Sequence, residues 1–308
     1  MPTSGPFPLF RRFRLIDLHT HTDRSDGSTE PGELVRKASA AGLRALAISD
    51  HDTLVGHDAA VPVAAETGLE LVCAVELSTR PNAERVAGQR ERSVHVLGYW
   101  LLSVPSQDFR NFLETQQDSR RRRNVDLAAK LQDLGLDVTL HDAEKYGRNQ
   151  VGRPHFARVL CEKGYASSMQ EAFDVYLGDD AQAAVCRDEP TLEEGIRWIR
   201  DSGGLASLAH PVRLSQRGQE LEHLVGQLVE AGLDGIEVYH SEHSPAECAE
   251  FEGIAGRYDL IPTGGSDFHG DNKPTIALGR GVNGNVSLSY DFLERMRDMF
   301  ATRHAARR

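Results

Sequence analysis

Seven short apolar runs recur along the chain: RLIDLH, ALAISDH, LELVCAVE, VHVLGYW, GLASLAH, GIEVYH and LIPTGGSD. Each has the length and composition of a buried strand. Helix-compatible segments separate most of them: PGELVRKASAAG, opened by Pro31 and closed by Gly42, then GHDAAVPVAAETG, TLEEGIRWIRDSGG and ELEHLVGQLVEAG. Pro62 weakens the second of these, because an interior proline removes a backbone donor. Strand–helix alternation at this spacing predicts parallel strands with right-handed crossovers, hence a β/α barrel or an open sheet. The 308 residues suffice for one large α/β domain with a substantial core.

One stretch breaks the rhythm. From about residue 103 to residue 188 there is no strong strand run, only the helical patterns FRNFLETQQDSRRRRNVDLAAKLQDLG, HFARVLCEKG and SMQEAFDVYLG. This is well beyond an ordinary connection and predicts a helical subdomain inserted between the fourth and fifth strands. The expected division is 1–102 for the first part of the barrel, 103–188 for the insert and 189–308 for the second part. Leu127, Leu131 and Leu134 form an apolar stripe read as core.

The polar residues follow the strands. His19 and His21, Asp50 and His51, Glu76, His210, His240, and Asp267 with His269 sit at or just beyond the ends of runs. In parallel α/β folds those C-terminal strand ends form the active-site face. His19 and His21, two apart, project from the same side of an extended strand, with Asp26 just beyond. One such pair alone is more often a hydrogen-bonded strand end than a metal site. Its repetition at the other ends favours metal ligands. His95 lies early in its run, yet Val94 and Val96 point opposite to it, as a ligand requires. Nine residues are therefore candidate ligands: His19, His21, Asp26, His51, Glu76, His95, His210, Asp267 and His269.

Composition narrows the classes further. A net charge of −11 argues against capture of long nucleic acid, which rests on many Lys/Arg–phosphate contacts. No apolar run approaches the roughly 18 residues of a membrane span, and the start MPTSGPFPLFRRFR has no signal-peptide core, so a cytoplasmic protein is expected. Cys73, Cys161, Cys186 and Cys248 are scattered without a CxxC pair and read as reduced packing thiols.

The order HxH…D…H…E…H…H…DxH closely resembles the PHP (polymerase and histidinol phosphatase) family of metal-dependent phosphoesterases. The blocks IDLHTHTDRSDGS, ISDHDT, AVELS, VHVLGY, LAHP and GGSDFHG carry the resemblance over almost the whole chain. It implies a distorted (β/α)7 barrel and, with all nine positions filled, a trinuclear metal site. The subgroup it looks closest to acts on nucleoside 3′,5′-bisphosphates and on 5′ ends of short RNA, and also carries a helical insert. A His-rich, thiol-free site favours Mn²⁺, with Fe²⁺ or Zn²⁺ as alternatives, over Mg²⁺. Glu76, with Asp26 or Asp267, is expected to bridge ions, and water activated by them to attack phosphorus in line.

Other roles follow with less specific signals. Asp50 is expected to orient a ligand histidine in preference to assisting proton transfer, and His240 to contact substrate or protonate the leaving oxygen, the alternatives being a supporting partner behind a ligand or a loop histidine. Arg120, Arg121, Arg122 and Arg123 are either a solvated helix face or a grip on a second phosphate. Arg153 and His155, beside a helix start, resemble a phosphate-binding pair in the related phosphatases, a reading favoured over a plain helix cap. The expected substrate is a small phosphorylated nucleotide or short oligonucleotide, and the expected reaction is removal of the 3′-phosphate of a nucleoside 3′,5′-bisphosphate. Alternatives are a 5′–3′ exoribonuclease, a histidinol phosphatase and a non-catalytic, metal-stabilised scaffold.

Overall fold

The computed structural model describes residues 15–80, 94–147, 150–178 and 180–306; the N-terminal start read above lies outside them. All seven apolar runs form strands. The first half holds β1 (Leu15–Asp17), α1 (Pro31–Ala40), β2 (Ala45–Ile48), α2 (Val55–Thr67), β3 (Glu70–Thr79) and β4 (Val94–Trp100). Then come α3 (Gln107–Asp133), α4 (Leu140–Glu144), α5 (Arg153–Glu162), α6 (Met169–Ala172) and a π-turn at Phe173–Leu177. The second half holds α7 (Leu192–Asp201), β5 (Leu205–Leu208), α8 (Gln219–Ala231), β6 (Gly235–His240), α9 (Pro245–Arg257) and β7 (Ile261–Gly265). A small hairpin, β8 (Ile276–Ala277) and β9 (Gly281–Val282), precedes β10 (Leu288–Ser289) and α10 (Tyr290–Ala306). Pro62 does not end α2; it sits on the exposed face, where the displaced carbonyl meets solvent. No described helix is long and apolar enough to cross a membrane.

Eight strands form one sheet in the order β10-β1-β2-β3-β4-β5-β6-β7. Beyond Asp17 the chain continues alongside the segment that follows β7. The Asp267 N–H donates to His19 O at 2.8 Å, and the His21 N–H donates to Phe268 O at 2.8 Å. The sheet is thereby nearly closed into a barrel. Gly265 permits the approach, since a Cβ there would lie 2.2 Å from the His19 nitrogen.

Uniformly parallel pairing does not hold. β4 is antiparallel to both β3 and β5, and β10 is antiparallel to β1. Antiparallel neighbours such as β3 and β4 need no crossover helix between them. The reversal explains His95. Because β4 runs the other way, its first residues lie at the same barrel end as the last residues of its neighbours, and His95 pairs with Ser78 near the end of β3.

Strand alternation sorts the side chains. Leu46, Ile48, Val75, Leu77, Val94 and Val96 face outward onto the helices, whereas Ala45, Ala47, Val72, Ala74, Leu97 and Tyr99 fill the barrel. The inward parity that carries Val72 and Ala74 continues to Glu76, and that of Leu97 and Tyr99 to His95. Small alanines low in the barrel thus give way to ligating groups at its mouth.

The residues after β4 build a cap. The first turns of α3 bury Phe109 and Leu113 with Trp100 and Ile196 on the barrel. Farther along, Leu127 and Leu131 join Phe156, Val159, Leu160 and Leu177 in a separate apolar core. Leu134 departs from the expected stripe: it is the C-cap of α3 and 42% exposed.

Candidate metal centre and active site

All nine candidate ligands converge at the mouth of the barrel, around Glu76. Glu76 Oε2 lies 3.1 Å from His19 Nε2, 3.0 Å from His21 Nε2 and 3.5 Å from His51 Nδ1. Its Oε1 lies 2.6 Å from His95 Nδ1 and 2.7 Å from His210 Nε2. Asp26 faces His269 Nε2 at 3.2 Å, His21 Nδ1 at 3.5 Å and His51 Nε2 at 3.6 Å. Asp267 Oδ1 faces His21 Nε2 at 3.4 Å and His19 Nε2 at 3.5 Å.

These groups fit divalent ions. Donor atoms held about 2.0–2.2 Å from one ion lie roughly 3.0–3.5 Å from one another, the range of most of these contacts. His21 Nε2 and His51 Nδ1 are buried without a hydrogen-bond partner among the described residues, which a ligated nitrogen would not need. Three carboxylates interleaved with six imidazoles also offer the hard and borderline donors that Mn²⁺, Fe²⁺ and Zn²⁺ accept.

Charge is arranged to match. Burial opposes ionisation of Glu76, but the facing His51, His95 and His19 hold its carboxyl well below the usual range. Against the same burial, Lys273, His269 and Arg213 do so for Asp267, and His269 and His51 for Asp26. Burial pushes His51 and His210 down to about 3. Burial acts downward on His21 as well, but Asp267 and Glu76 raise it to about 9. Three of the five described non-glycine residues with positive φ lie here: Asp52 at 54°, His210 at 25° and Asp267 at 59°. Strained backbone of this kind is retained where surrounding contacts over-determine it.

A cavity of about 390 Å³ opens above this cluster, with Asp26, His51, His95, Asp267 and His269 in its lining. The cap contributes Arg120, Arg123 and Arg153, and Arg187 stands beside them. The four-arginine run therefore divides by helical periodicity. Arg120 and Arg123, three apart, face the cavity, whereas Arg121 and Arg122 are exposed on the solvent side, Arg121 within 3.3 Å of Asp118. Those two leave the expected substrate-binding set.

Three further expectations change. His155 is not in the cavity lining; its Nδ1 accepts the Gly152 N–H at 2.9 Å and caps α5. Asp50 is fully buried and saturated, accepting from the Thr22 N–H at 2.7 Å, Thr22 Oγ1 at 2.6 Å and Ser25 Oγ at 2.6 Å. It braces the loop between His21 and Asp26, and proton transfer to a substrate is out of its reach. His240 is buried beneath the cluster, its Nε2 3.4 Å from Asp267 Oδ2. It is not among the residues that line the cavity.

Residues not singled out from the sequence complete the site. Glu237, inside the barrel on β6, lies with Oε1 2.8 Å from His19 Nδ1 and accepts the His210 N–H on Oε2 at 2.7 Å. Arg213 and Lys273 donate to Asp267 Oδ2 at 2.9 and 2.8 Å. Asp52 joins Arg120 and Arg187. The available signal was a carboxylate inside an apolar strand, GIEVYH, since an unpaired buried charge is costly.

A PHP domain model matches residues 17–201. The chain belongs to the PHP domain family. As a PHP protein it is a metal-dependent phosphoesterase, a hydrolase of phosphoric esters. It is 34% identical over 269 residues to the 5′-3′ exoribonuclease Rnm of Escherichia coli, covering 86% of this chain and 88% of that one. It is 30% identical over 256 residues to the 3′,5′-nucleoside bisphosphate phosphatase of Chromobacterium violaceum, covering 82% and 87%. A solved structure assigned as a metal-dependent phosphoesterase, from Bifidobacterium adolescentis, superposes with a TM-score of 0.75 at 29% identity over 92% of this chain and 96% of that one.

Proposed function

We propose that this PHP protein removes the 3′-phosphate from nucleoside 3′,5′-bisphosphates in the cytoplasm. The observation that carries the reading is the two-poled cavity. Its floor is the imidazole–carboxylate cluster, and its cap side is a group of arginines. Burial, and after it the neighbouring Arg120, Arg153 and Arg187, push the Arg123 guanidinium well below its usual value. A substrate with one phosphate at each end answers both poles.

In this reading His19, His21, Asp26, His51, Glu76, His95, His210, Asp267 and His269 hold three divalent ions, Mn²⁺ foremost. When bound, such ions supply Lewis acidity and an activated water. The remaining work belongs to the chain. Glu76 spans the two halves of the cluster, and Glu237 fixes the ring of His19. Arg213 and Lys273 line the floor side and are positioned to meet oxygens of the scissile phosphate. Arg120, Arg123 and Arg153 grip the other phosphate, and residues 103–188 act as the cap that carries them. His155, which caps α5, orients Arg153 at the helix start.

The exoribonuclease named among the relatives supports a second reading, 5′–3′ trimming of short 5′-phosphorylated RNA by the same site. Cleaving that 3′ ester is the same geometry with a larger leaving group. A histidinol phosphatase is disfavoured because its cationic substrate would face the arginines. Protein reconstituted with Mn²⁺ should be assayed on adenosine 3′,5′-bisphosphate, AMP, histidinol phosphate and a 5′-phosphorylated short RNA. Preference for histidinol phosphate, or no turnover of any of them, overturns the proposal.

A further inference from the structure

A few lining residues of the cavity differ chemically from the rest. Almost every lining side chain is charged or polar, and the two apolar ones, Pro154 and Phe173, both come from the cap. Phe173 opens the π-turn, a feature that recurs at functional sites, and its partly buried ring rests on the apolar core of the cap. One side of the ring is thus fixed by packing while the residue borders the cavity. Gln150 lines the same cavity. Both its side-chain atoms, Oε1 and Nε2, are buried with no hydrogen-bond partner among the described residues. A buried amide left incomplete is destabilising and is retained where something else completes it.

Neither group suits a phosphate, since one is an apolar ring and the other a neutral amide. Together they match a nucleobase, which has a flat π-face and an edge of adjacent donors and acceptors. We propose that Phe173 and Gln150 form a nucleobase seat, the ring stacking on the base and the amide pairing with its edge. This rests on the nucleotide reading above. Rotation of the amide by half a turn exchanges its donor and acceptor, so it satisfies adenine and cytosine in one orientation and guanine and uracil in the other. The seat therefore selects a nucleotide over a sugar phosphate and discriminates weakly among bases. Gln150 and Arg153 flank the start of α5, so one short segment holds both the base and the phosphate grip.

The test separates binding from turnover in the Mn²⁺-loaded full chain. Binding is measured by calorimetry with non-hydrolysable 3′-phosphonate analogues of the four nucleoside 3′,5′-bisphosphates and of base-free ribose 3,5-bisphosphate. The four nucleotides should bind within about tenfold of one another, and the base-free ligand roughly 5- to 150-fold more weakly, the range of base stacking. Phe173→Ala and the milder Phe173→Leu should remove most of that difference, and Gln150→Leu should weaken the nucleotides alone. Unchanged binding of the base-free ligand by the same variants reports that the cap is intact. Equal wild-type affinity for base-free and base-bearing ligands overturns the seat, as does equal weakening of both by all three variants. Turnover of the parent bisphosphates is followed in parallel. Its absence in wild type defeats the phosphatase reading, while the binding comparison still decides the seat.

Discussion

Arg187 reaches Asp52 across the boundary between cap and barrel, Nη2 to Oδ2 at 2.9 Å, and Arg120 donates to the same oxygen at 2.5 Å. Asp52 also accepts the Ser78 N–H at 2.7 Å on Oδ1. One fully buried carboxylate, next in sequence to His51, therefore fixes two cavity-side guanidiniums to the barrel mouth.

Replacing that carboxylate leaves the largely buried Arg120 without its counter-charge and Arg187 with Glu189 alone, at 3.0 Å. Asp52→Asn should cost on the order of 3–5 kcal/mol, the usual penalty for breaking a buried pair from one side. Asparagine tolerates the positive φ of 54°, so backbone strain does not confound the result. Urea unfolding checks it, and a loss under about 1 kcal/mol would mean that the arginines find other partners.

Metal content tests the cluster directly. Elemental analysis after saturation with Mn²⁺ should approach three equivalents, and His21→Ala, Glu76→Ala and Asp267→Ala should each lower it and abolish turnover. One equivalent or less in the wild type, or near-normal activity in any of these variants, would mean that the ligand set is misassigned.

The split of the arginine run gives an internal control for the phosphate grip. Arg153→Ala should reduce kcat/KM on a 3′,5′-bisphosphate by about 30- to 1000-fold, corresponding to roughly 2–4 kcal/mol for a lost charge-assisted contact, with far less effect on a monophosphate lacking the second group. Arg121→Ala, on the solvent face, should change neither. If Arg121→Ala is the damaging change, the cavity-facing assignment is wrong.

Glu237 should behave as a positioning residue. Both its oxygens are engaged, one beside the His19 ring and one on the His210 N–H. Glu237→Ala should weaken Mn²⁺ affinity by about 10- to 100-fold, with competent sites recovered at high metal. A change in kcat at saturating metal with unaltered affinity would point to a direct part in the chemistry instead.

The sequence made the strands and the ligands legible for the same reason: a period of two over short apolar runs assigns each side chain to a face, and the polar residues at the ends stand out against it. Direction was not legible. The β4 run reads alike in either orientation, and only its pairing shows why His95 stands at the start. For Asp50 and His240 the sequence left supporting and chemical roles both open, because strand-end position says nothing of depth; both are buried and neither lines the cavity. Glu237 was passed over because it falls inside a strand, where its role depends on His19, more than two hundred residues away. In the arginine run charge alone was visible; the helical phase that turns Arg120 and Arg123 inward is set by the cap's own core.

The backbone contacts that bring Asp267 to His19 make the barrel's seam and its reactive centre a single structure. Neither half of the chain can assemble the cluster alone, because the first supplies His19 and His21 and the last supplies Asp267 and His269. Pairing over so long a stretch of chain must overcome the loop-closure entropy of everything between. A chain arrested before its seventh strand would lack Asp267 and His269, and the cluster around His19 and His21 would be left incomplete.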